Sequence, residues 1–396
     1  MKKILIVIHD MRIGGAQRSL LSFLNCLCEE NMQSQYTIDL MVIDPVGSFY
    51  SQIPEKIHIL PPPEELRWLG TSVNTKLLFK HFTWNSLLGE LSWLQNKKKH
   101  PELNLQQRLW RCWHSRIPQL ETEYDVAISY MDGVPNYYVA DKVRAGKKVL
   151  WVHSEYQKQG YHREFDRPFF EAADTVVTIC QNCKECILRE FPQLRDHTVV
   201  LENITDNREI LKKSQTGTCP EFQDNSKLKL LTVARLNQQK GVDMAVQAAQ
   251  LLKQAGISFL WLVAGDGPEH SRLQADIEKL GLQEDFVLLG SVENPYAYMA
   301  ACDMIVQPSR VEGKSIVLDE AKILCKPIVA TNYATVADSL EHGCNGWIVE
   351  MTPAGIFGGI EVLYKDEVLR QRIVQNIEKA QKGNTQQLQK YMDIMF

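Results

Sequence analysis

No stretch of this 396-residue chain approaches the roughly 18 to 20 consecutive apolar residues that a membrane-crossing helix requires. Neither sign of charge dominates: 44 basic residues face 48 acidic ones, a net charge of -4, so no global basic field exists for nucleic acid and none is expected as a partner. No fixed-period repeat marks a solenoid. The opening Met1-Lys-Lys has the basic residues of an export signal, but its apolar run, Ile4 to Ile8, stops after five residues at His9-Asp10. We read it as a first buried strand of a cytosolic protein. Ten cysteines are present, and a chain this long builds its core without disulfide staples, so they are expected as free thiols. With 44% hydrophobic and 23% charged residues, the composition is that of an ordinary globular protein of about two to three domains.

Short β-branched runs separated by helix-length stretches fill most of the chain. They are Ile4 to Ile8, Ile38 to Ile43, Tyr124 to Tyr130, Lys148 to His153, Thr175 to Cys180 and Thr198 to Leu201, then Leu228 to Ala234, Phe259 to Ala264, Phe286 to Gly290, Met304 to Gln307, Pro327 to Ala330 and Trp347 to Val349. Several are apolar throughout, as strands covered on both faces must be, and the alternation predicts an α/β fold with two Rossmann-like parallel-sheet domains. Between the runs, Val242, Ala245, Val246, Ala249 and Leu252 follow helical spacing with Gly256 as a stop, and Leu273, Ile277 and Leu280 repeat the pattern before Gly281. The expected division is a first domain over 1–205, a linker over 206–227 where periodicity gives way to Asn, Asp, Ser, Thr and Lys, and a second domain over 228–383. A terminal helix over 384–396 is expected to rejoin the first domain.

One region breaks the alternation. Residues 64–118 hold nine Lys or Arg against four Glu, a local charge of +5, and five of the eight tryptophans: Trp68, Trp84, Trp93, Trp110 and Trp113. Indoles interleaved with basic residues suit an anionic membrane interface. A helical insertion whose tryptophans are core gives the same composition, and both readings stay open here.

The richest chemistry lies between Pro308 and Pro327, where a strand run leads through Arg310-Val-Glu312-Gly313-Lys314-Ser315-Ile316 into a helix. Free amides and the dipole at such a junction favour an anion. Glu312 falls in the loop and Glu320 inside the helix, expected about two turns along, so two carboxylates can address different hydroxyls of one ligand with the anion between them. A sugar nucleotide has that layout. Each glutamate alone is explained more simply, Glu320 as a solvated helix position and Glu312 as a dipole partner. Arg235 and Lys240, after the first strand of the second domain, can neutralise a diphosphate, the first by a fork and the second as a point charge. Gly14-Gly15 after the opening strand lets backbone approach a ligand closely. His153 ends a buried strand run, where a histidine is usually structural. Cys180, Cys183 and Cys186 recur every third residue but lack a matched fourth ligand, and Gly265-Asp-Gly267 lacks the third glycine of a dinucleotide fingerprint, since His270 stands there.

Taken in order, Gly14-Gly15-Ala16, Trp151-Val-His153-Ser-Glu155, Val233-Ala-Arg235 to Lys240-Gly241, Ala264-Gly-Asp-Gly-Pro268 and the pair Glu312 and Glu320 resemble the GT-B retaining glycosyltransferases of the family 4 type. The resemblance spans nearly the full length and is weakest over 64–118. It implies that the second domain binds a nucleotide-sugar donor, here expected to be a UDP-sugar, and that the first presents the acceptor across an interdomain cleft. By it, Arg235, Lys240, Gly14, Gly15, Ser315 and Ile316 hold the diphosphate and Glu320 the ribose. His153, Glu312, Gly313 and Lys314 meet the donor sugar, with His153 and Glu312 at the reaction centre. Many relatives read Glu-Gly-Phe-Gly where this chain has Glu312-Gly313-Lys314-Ser315, so the sugar contacts differ there. No Asp-x-Asp loop suggests a metal, in keeping with the metal independence the resemblance implies, and no cofactor is expected beyond the substrate itself. The acceptor expected is a glycan, lipid-linked, in capsule, O-antigen or related polysaccharide synthesis on the inner face of the plasma membrane. A sugar-nucleotide epimerase of the same architecture and a non-catalytic nucleotide-sugar-binding subunit are the alternatives.

Overall fold

The computed structural model describes residues 2–29, 36–69, 99–380, 384 and 387–395. The chain divides into two compact units, one of residues 1–204 with 386–396 and one of residues 205–385.

In the first unit, seven parallel strands form one sheet: β1 (Lys2–Ile8), β2 (Tyr36–Val42), β3 (His58–Ile59), β4 (Glu123–Ser129), β5 (Arg144–Val152), β6 (Thr175–Thr178) and β7 (Thr198–Val200), in the order β3-β2-β1-β4-β5-β6-β7. Why β1 is apolar throughout is visible in its neighbours. Ile4, Ile6 and Ile8 enter the core on one face, while Leu5 and Val7 enter the core on the other. The period of two puts alternate side chains on opposite faces, and both faces are covered. Each such side chain fully buried is worth about 1.5–3 kcal/mol. The helix Gly15–Glu29 covers the first face with Leu20, Phe23, Leu24 and Leu27, spaced as one helical stripe. The helix Gln387–Met395 adds Leu388, Tyr391, Met392 and Met395 to that same core, and the Tyr391 hydroxyl donates to the Glu202 carbonyl at 3.0 Å.

The second unit repeats the plan with six parallel strands, β8 (Leu228–Val233), β9 (Phe259–Ala264), β10 (Phe286–Gly290), β11 (Met304–Gln307), β12 (Ile328–Thr331) and β13 (Trp347–Val349), in the order β10-β9-β8-β11-β12-β13. Leu230, Trp261, Val263, Met304 and Val306 fill the core on one face, and Leu231, Leu262 and Ile305 that on the other. In this order β8 and β11 are hydrogen-bonded neighbours whose flanking connections run to opposite sides, which makes the crevice beyond their carboxyl ends the topological switch point.

Residues 206–227, expected as a linker, are more structured than that. Asp206 caps a helix, Asn207–Ser214, by accepting from the Arg208 amide, and Ile210 and Phe222 are buried in the core of the second unit. The described part of 64–118 likewise favours the core reading. Trp110 and Trp113, on the helix Leu105–Trp113, are buried among the first unit's hydrophobic residues; Trp68 packs edge-on against Trp113 at 5.3 Å, and Arg116 lies over the Trp113 ring at 4.8 Å. Trp84, Trp93, Lys97 and Lys98 lie outside the described residues. Among those described, no helix is long and apolar enough to cross a membrane.

Candidate active site

At the switch point of the second unit, the loops after β8 and β11 come together. A three-residue turn, Gln238–Lys240, follows β8 and is capped by Asn237, whose side chain accepts from the Lys240 amide at 3.1 Å. Next comes Gly241, with φ of +64°; a Cβ there would stand 2.0 Å from the Pro308 carbonyl oxygen. Only glycine permits both that backbone and that approach. Gly265 and Gly267, after β9, are crowded in the same way by the carbonyls of Ala234 and Leu236. Their role is close packing of strand-end loops, which explains the Gly-Asp-Gly turn without a dinucleotide.

The approach brings Lys240 to Glu312. The ammonium lies 2.8 Å from Oε1 and 2.6 Å from Oε2 of the carboxylate. Oε1 also accepts from Gln307 Nε2 at 2.8 Å and from Ser309 Oγ at 2.7 Å, while the Glu312 carbonyl accepts from Thr335 Oγ1 at 3.0 Å. Gln307 is the last residue of β11, and its own Oε1 accepts from Ser315 Oγ at 2.8 Å. Ser315 is the N-cap residue of the helix Ile316–Ile323, yet its hydroxyl is turned to Gln307 and caps nothing. The first turn of that helix therefore keeps amides with no side-chain cap, the arrangement that suits an anion. Gly313 lies in the loop between Glu312 and the helix. Tyr333, in the loop after β12, has a buried hydroxyl without a hydrogen-bond partner among the described residues. Burial, with the Glu312 carboxylate nearby, drives its pKa far above the ordinary tyrosine range.

Arg235 is exposed, and among the described residues its side chain makes no hydrogen bond or ion pair. It is a free cation in the loop just after β8. Two other residues differ from expectation. Lys314, expected at the donor sugar, has a side chain only 6% exposed, with its ammonium 3.9 Å from Asp319, which pairs more closely with Lys322 at 2.9 Å. Glu320, expected to meet a ribose, is fully buried a little over one turn into the helix, with Oε1 accepting from the Tyr296 hydroxyl at 3.0 Å.

The corresponding edge of the first unit's sheet carries the remaining residues. After β1, Asp10 accepts from Gln17 Nε2 at 3.1 Å and pairs with Arg12, which also reaches Asp44 at 3.1 Å. A Cβ on Gly14 would meet the Gln17 side chain at 2.4 Å, so Gly14 makes room for this network and Gly15 begins the helix. After β5, the His153 amide donates to Asp132 Oδ2 at 3.2 Å, and its ring packs 5.3 Å from that of Tyr130. Both ring nitrogens are buried, and among the described residues neither has a hydrogen-bond partner. Burial lowers the His153 pKa to about 4, leaving a neutral imidazole at pH 7, and burial pushes the Asp132 carboxyl up to about 7 against the pull of the His153 amide. Cys180, Cys183 and Cys186 are buried at the start of the helix Gln181–Glu190, where the Cys183 amide points to Cys180 Sγ at 3.5 Å.

Sequence reasoning missed Gln307, Ser309, Thr335 and Asp132. Gln307 carried a faint signal, as a polar residue closing an otherwise apolar strand run; the others gave none.

Comparison with known proteins bears on the family and the fold. The family description "Glycosyl transferases group 1" matches residues 218–380. A Campylobacter jejuni enzyme named N-acetylgalactosamine-N,N'-diacetylbacillosaminyl-diphospho-undecaprenol 4-alpha-N-acetylgalactosaminyltransferase is 31% identical over 249 residues, covering 60% of this chain and 66% of its own. A second from the same organism, the GalNAc-alpha-(1->4)-GalNAc-alpha-(1->3)-diNAcBac-PP-undecaprenol alpha-1,4-N-acetyl-D-galactosaminyltransferase, is 22% identical over 391 residues, covering 96% of this chain and 93% of its own. Several other curated glycosyltransferases match over half or less of their length, 49%, 32% and 39% in three of them. Among solved structures, Anabaena HepE in complex with UDP-glucose is similar with a TM-score of 0.71 at 17% identity, over 99% of this chain and 100% of that one.

Proposed function

Since the chain belongs to the group 1 glycosyltransferases and has the GT-B fold, we propose that it transfers a sugar from a UDP-sugar to a hydroxyl of a lipid-linked glycan, with retention of anomeric configuration. The observation that carries this reading is the convergence at one switch point of Lys240, Glu312, the exposed Arg235 and a helix N-terminus whose cap residue is turned away. Breaking the bond to the anomeric carbon releases a nucleoside diphosphate, and the largest catalytic contribution comes from stabilising the charge that grows on it. Arg235, Lys240 and the amides at Ser315 and Ile316 are the groups assigned to that charge. Glu312 and Gly313 are assigned to the transferred sugar and Glu320 to the ribose. We assign the acceptor to the first unit, where the neutral His153 imidazole offers one donor and one acceptor to a hydroxyl without bringing a charge. Both Campylobacter relatives carry an undecaprenol diphosphate acceptor in their names, which supports a lipid-linked acceptor here. HepE was crystallised with UDP-glucose, which supports UDP as the carrier.

A thermal-shift panel of UDP, GDP, ADP and their common sugar conjugates tests the reading, because a ligand bound only by the native state raises the unfolding temperature by mass action. A selective rise with UDP and one UDP-sugar is expected. No rise with any nucleotide would sink it and favour a subunit that does not bind donor.

A further inference from the structure

The two oxygens of Glu312 are held unequally. Oε1 accepts from Gln307 and Ser309 in addition to facing Lys240, whereas Oε2 has one hydrogen-bond partner among the described residues, Lys240 at 2.6 Å. Gln307 ends β11 and Ser309 lies with Glu312 in the loop that follows it, and Gln307, 6% exposed, is itself fixed by Ser315. They hold the carboxylate in place whether or not a cation is present. Lys240 arrives from a different loop on a flexible four-carbon stem, with its side chain 27% exposed against 9% for Glu312. It is the mobile partner of the pair, and a diphosphate offers it more negative charge than one carboxylate does.

We propose that the Lys240–Glu312 ion pair is a donor-operated exchange: the diphosphate draws the ammonium away, and the released Glu312 Oε2 becomes the acceptor for one hydroxyl of the transferred sugar, with Gln307 and Ser309 as positioning residues. The proposal rests on reading this crevice as the donor site. In the empty protein the carboxylate is occupied and a free sugar finds no acceptor there. Sugar recognition is thereby conditional on the diphosphate, so selectivity among sugars is expressed only by ligands that carry both parts. The two hydrogen bonds to Oε1 keep Glu312 from being left as an uncompensated charge once Lys240 departs.

Calorimetric titration of UDP, GDP and ADP and the matching sugar conjugates into wild type, Glu312→Gln, Lys240→Met and the double variant tests the exchange. Partly exposed pairs of this kind convert to about a two- to fivefold effect. Glu312→Gln is therefore expected to bind the nucleoside diphosphate about two- to fivefold more tightly than wild type, and the gain is expected to vanish in the Lys240→Met background. A gain that persists without Lys240 reflects charge repulsion alone and overturns the exchange, as does unchanged or weaker binding by Glu312→Gln. Ser309→Ala leaves the ion pair intact and serves if the other variants fold poorly. It is expected to lower the preference for the sugar conjugate over the bare diphosphate without altering affinity for the latter, and an equal loss for both overturns the positioning role. If wild type binds no nucleoside diphosphate, the donor-site reading fails instead.

Discussion

Arg310 and Asp243 join the two loops at the switch point as a fork on a fork, with Nη1 to Oδ1 and Nη2 to Oδ2 both at 2.7 Å. Asp243 is the second residue of the helix Val242–Gln254, directly after the turn that carries Lys240, and Arg310 lies two residues before Glu312. Burial disfavours the Asp243 carboxylate, yet the guanidinium outweighs it and holds the carboxyl below the usual range. The Arg310 amide adds a bond to the Gln239 carbonyl at 2.7 Å. Lys240 and Glu312 thus meet because their loops are bolted together on either side of them.

That approach has a glycine at its centre. Gly241→Ala is expected to cost at least about 1–2 kcal/mol from the left-handed backbone alone, with a further penalty from the clash at Pro308, and to abolish donor binding. Gly256→Ala meets the same backbone penalty but has nothing within 4 Å of a new Cβ. Its expected outcome is a lower melting temperature with donor affinity unchanged, so the pair of variants separates strain from site disruption in one thermal-shift series.

Arg235 contributes nothing visible to the fold. Arg235→Ala should leave the melting temperature of the ligand-free protein where it is and weaken UDP and UDP-sugar equally, by about ten- to a hundredfold for loss of a charged hydrogen bond. Titration calorimetry decides: undiminished affinity removes Arg235 from the diphosphate.

Glu320→Gln retains an acceptor for the Tyr296 hydroxyl while cancelling the charge. If Glu320 holds the ribose, wild type prefers UDP over 2′-deoxy-UDP by about tenfold or more, and the variant loses most of that preference. A variant with a lower melting temperature but an unchanged preference would make Glu320 a purely structural residue.

Acid–base behaviour of the first unit should be divided between two neighbours. The folded protein keeps a proton on Asp132 that the unfolded chain gives up, so its contribution to stability falls as pH rises between about 4 and about 7. His153 works in the opposite sense, because burial keeps it neutral where the unfolded chain is protonated, and stability falls as pH drops from about 6.5 to about 4. In wild type the two slopes oppose each other. Asp132→Asn is expected to leave the rising slope and His153→Gln the falling one, by several degrees in melting temperature across that range. Parallel profiles for all three proteins would contradict both assignments.

Much of the fold could be read directly because its strands are covered on two faces. Ile4 to Ile8, Phe259 to Ala264 and Met304 to Val306 are contiguous apolar runs for that reason, and each lies in a strand. The edge strand His58–Ile59 escaped notice because it is two exposed residues long and needs little hydrophobicity. The helix Asn207–Ser214 was hidden by its charge, since Ile210 is its one buried residue; the spacing of Asp206 and Glu209 was the available clue. Chemistry followed the same divide. Glu312 and Lys240 stand out by residue type beside a strand end, but nothing in their spacing reveals that they touch. Ser309, Asp132 and the Arg310–Asp243 fork owe their roles to neighbours 67 or fewer residues away in sequence that only the folded loops bring near.

The terminal helix has a consequence for how the chain is made. Leu388, Tyr391, Met392 and Met395 complete a core whose other members come from the first 204 residues, yet they are synthesised after the whole of the second unit. On the ribosome the second unit can close as soon as its own residues emerge, while the first waits, with an open hydrophobic face, for a segment translated later. Order of synthesis and order of completion are therefore inverted. The first unit is the one that spends longer needing protection from aggregation, and truncation before residue 387 would strand it in that state while the second unit folds normally.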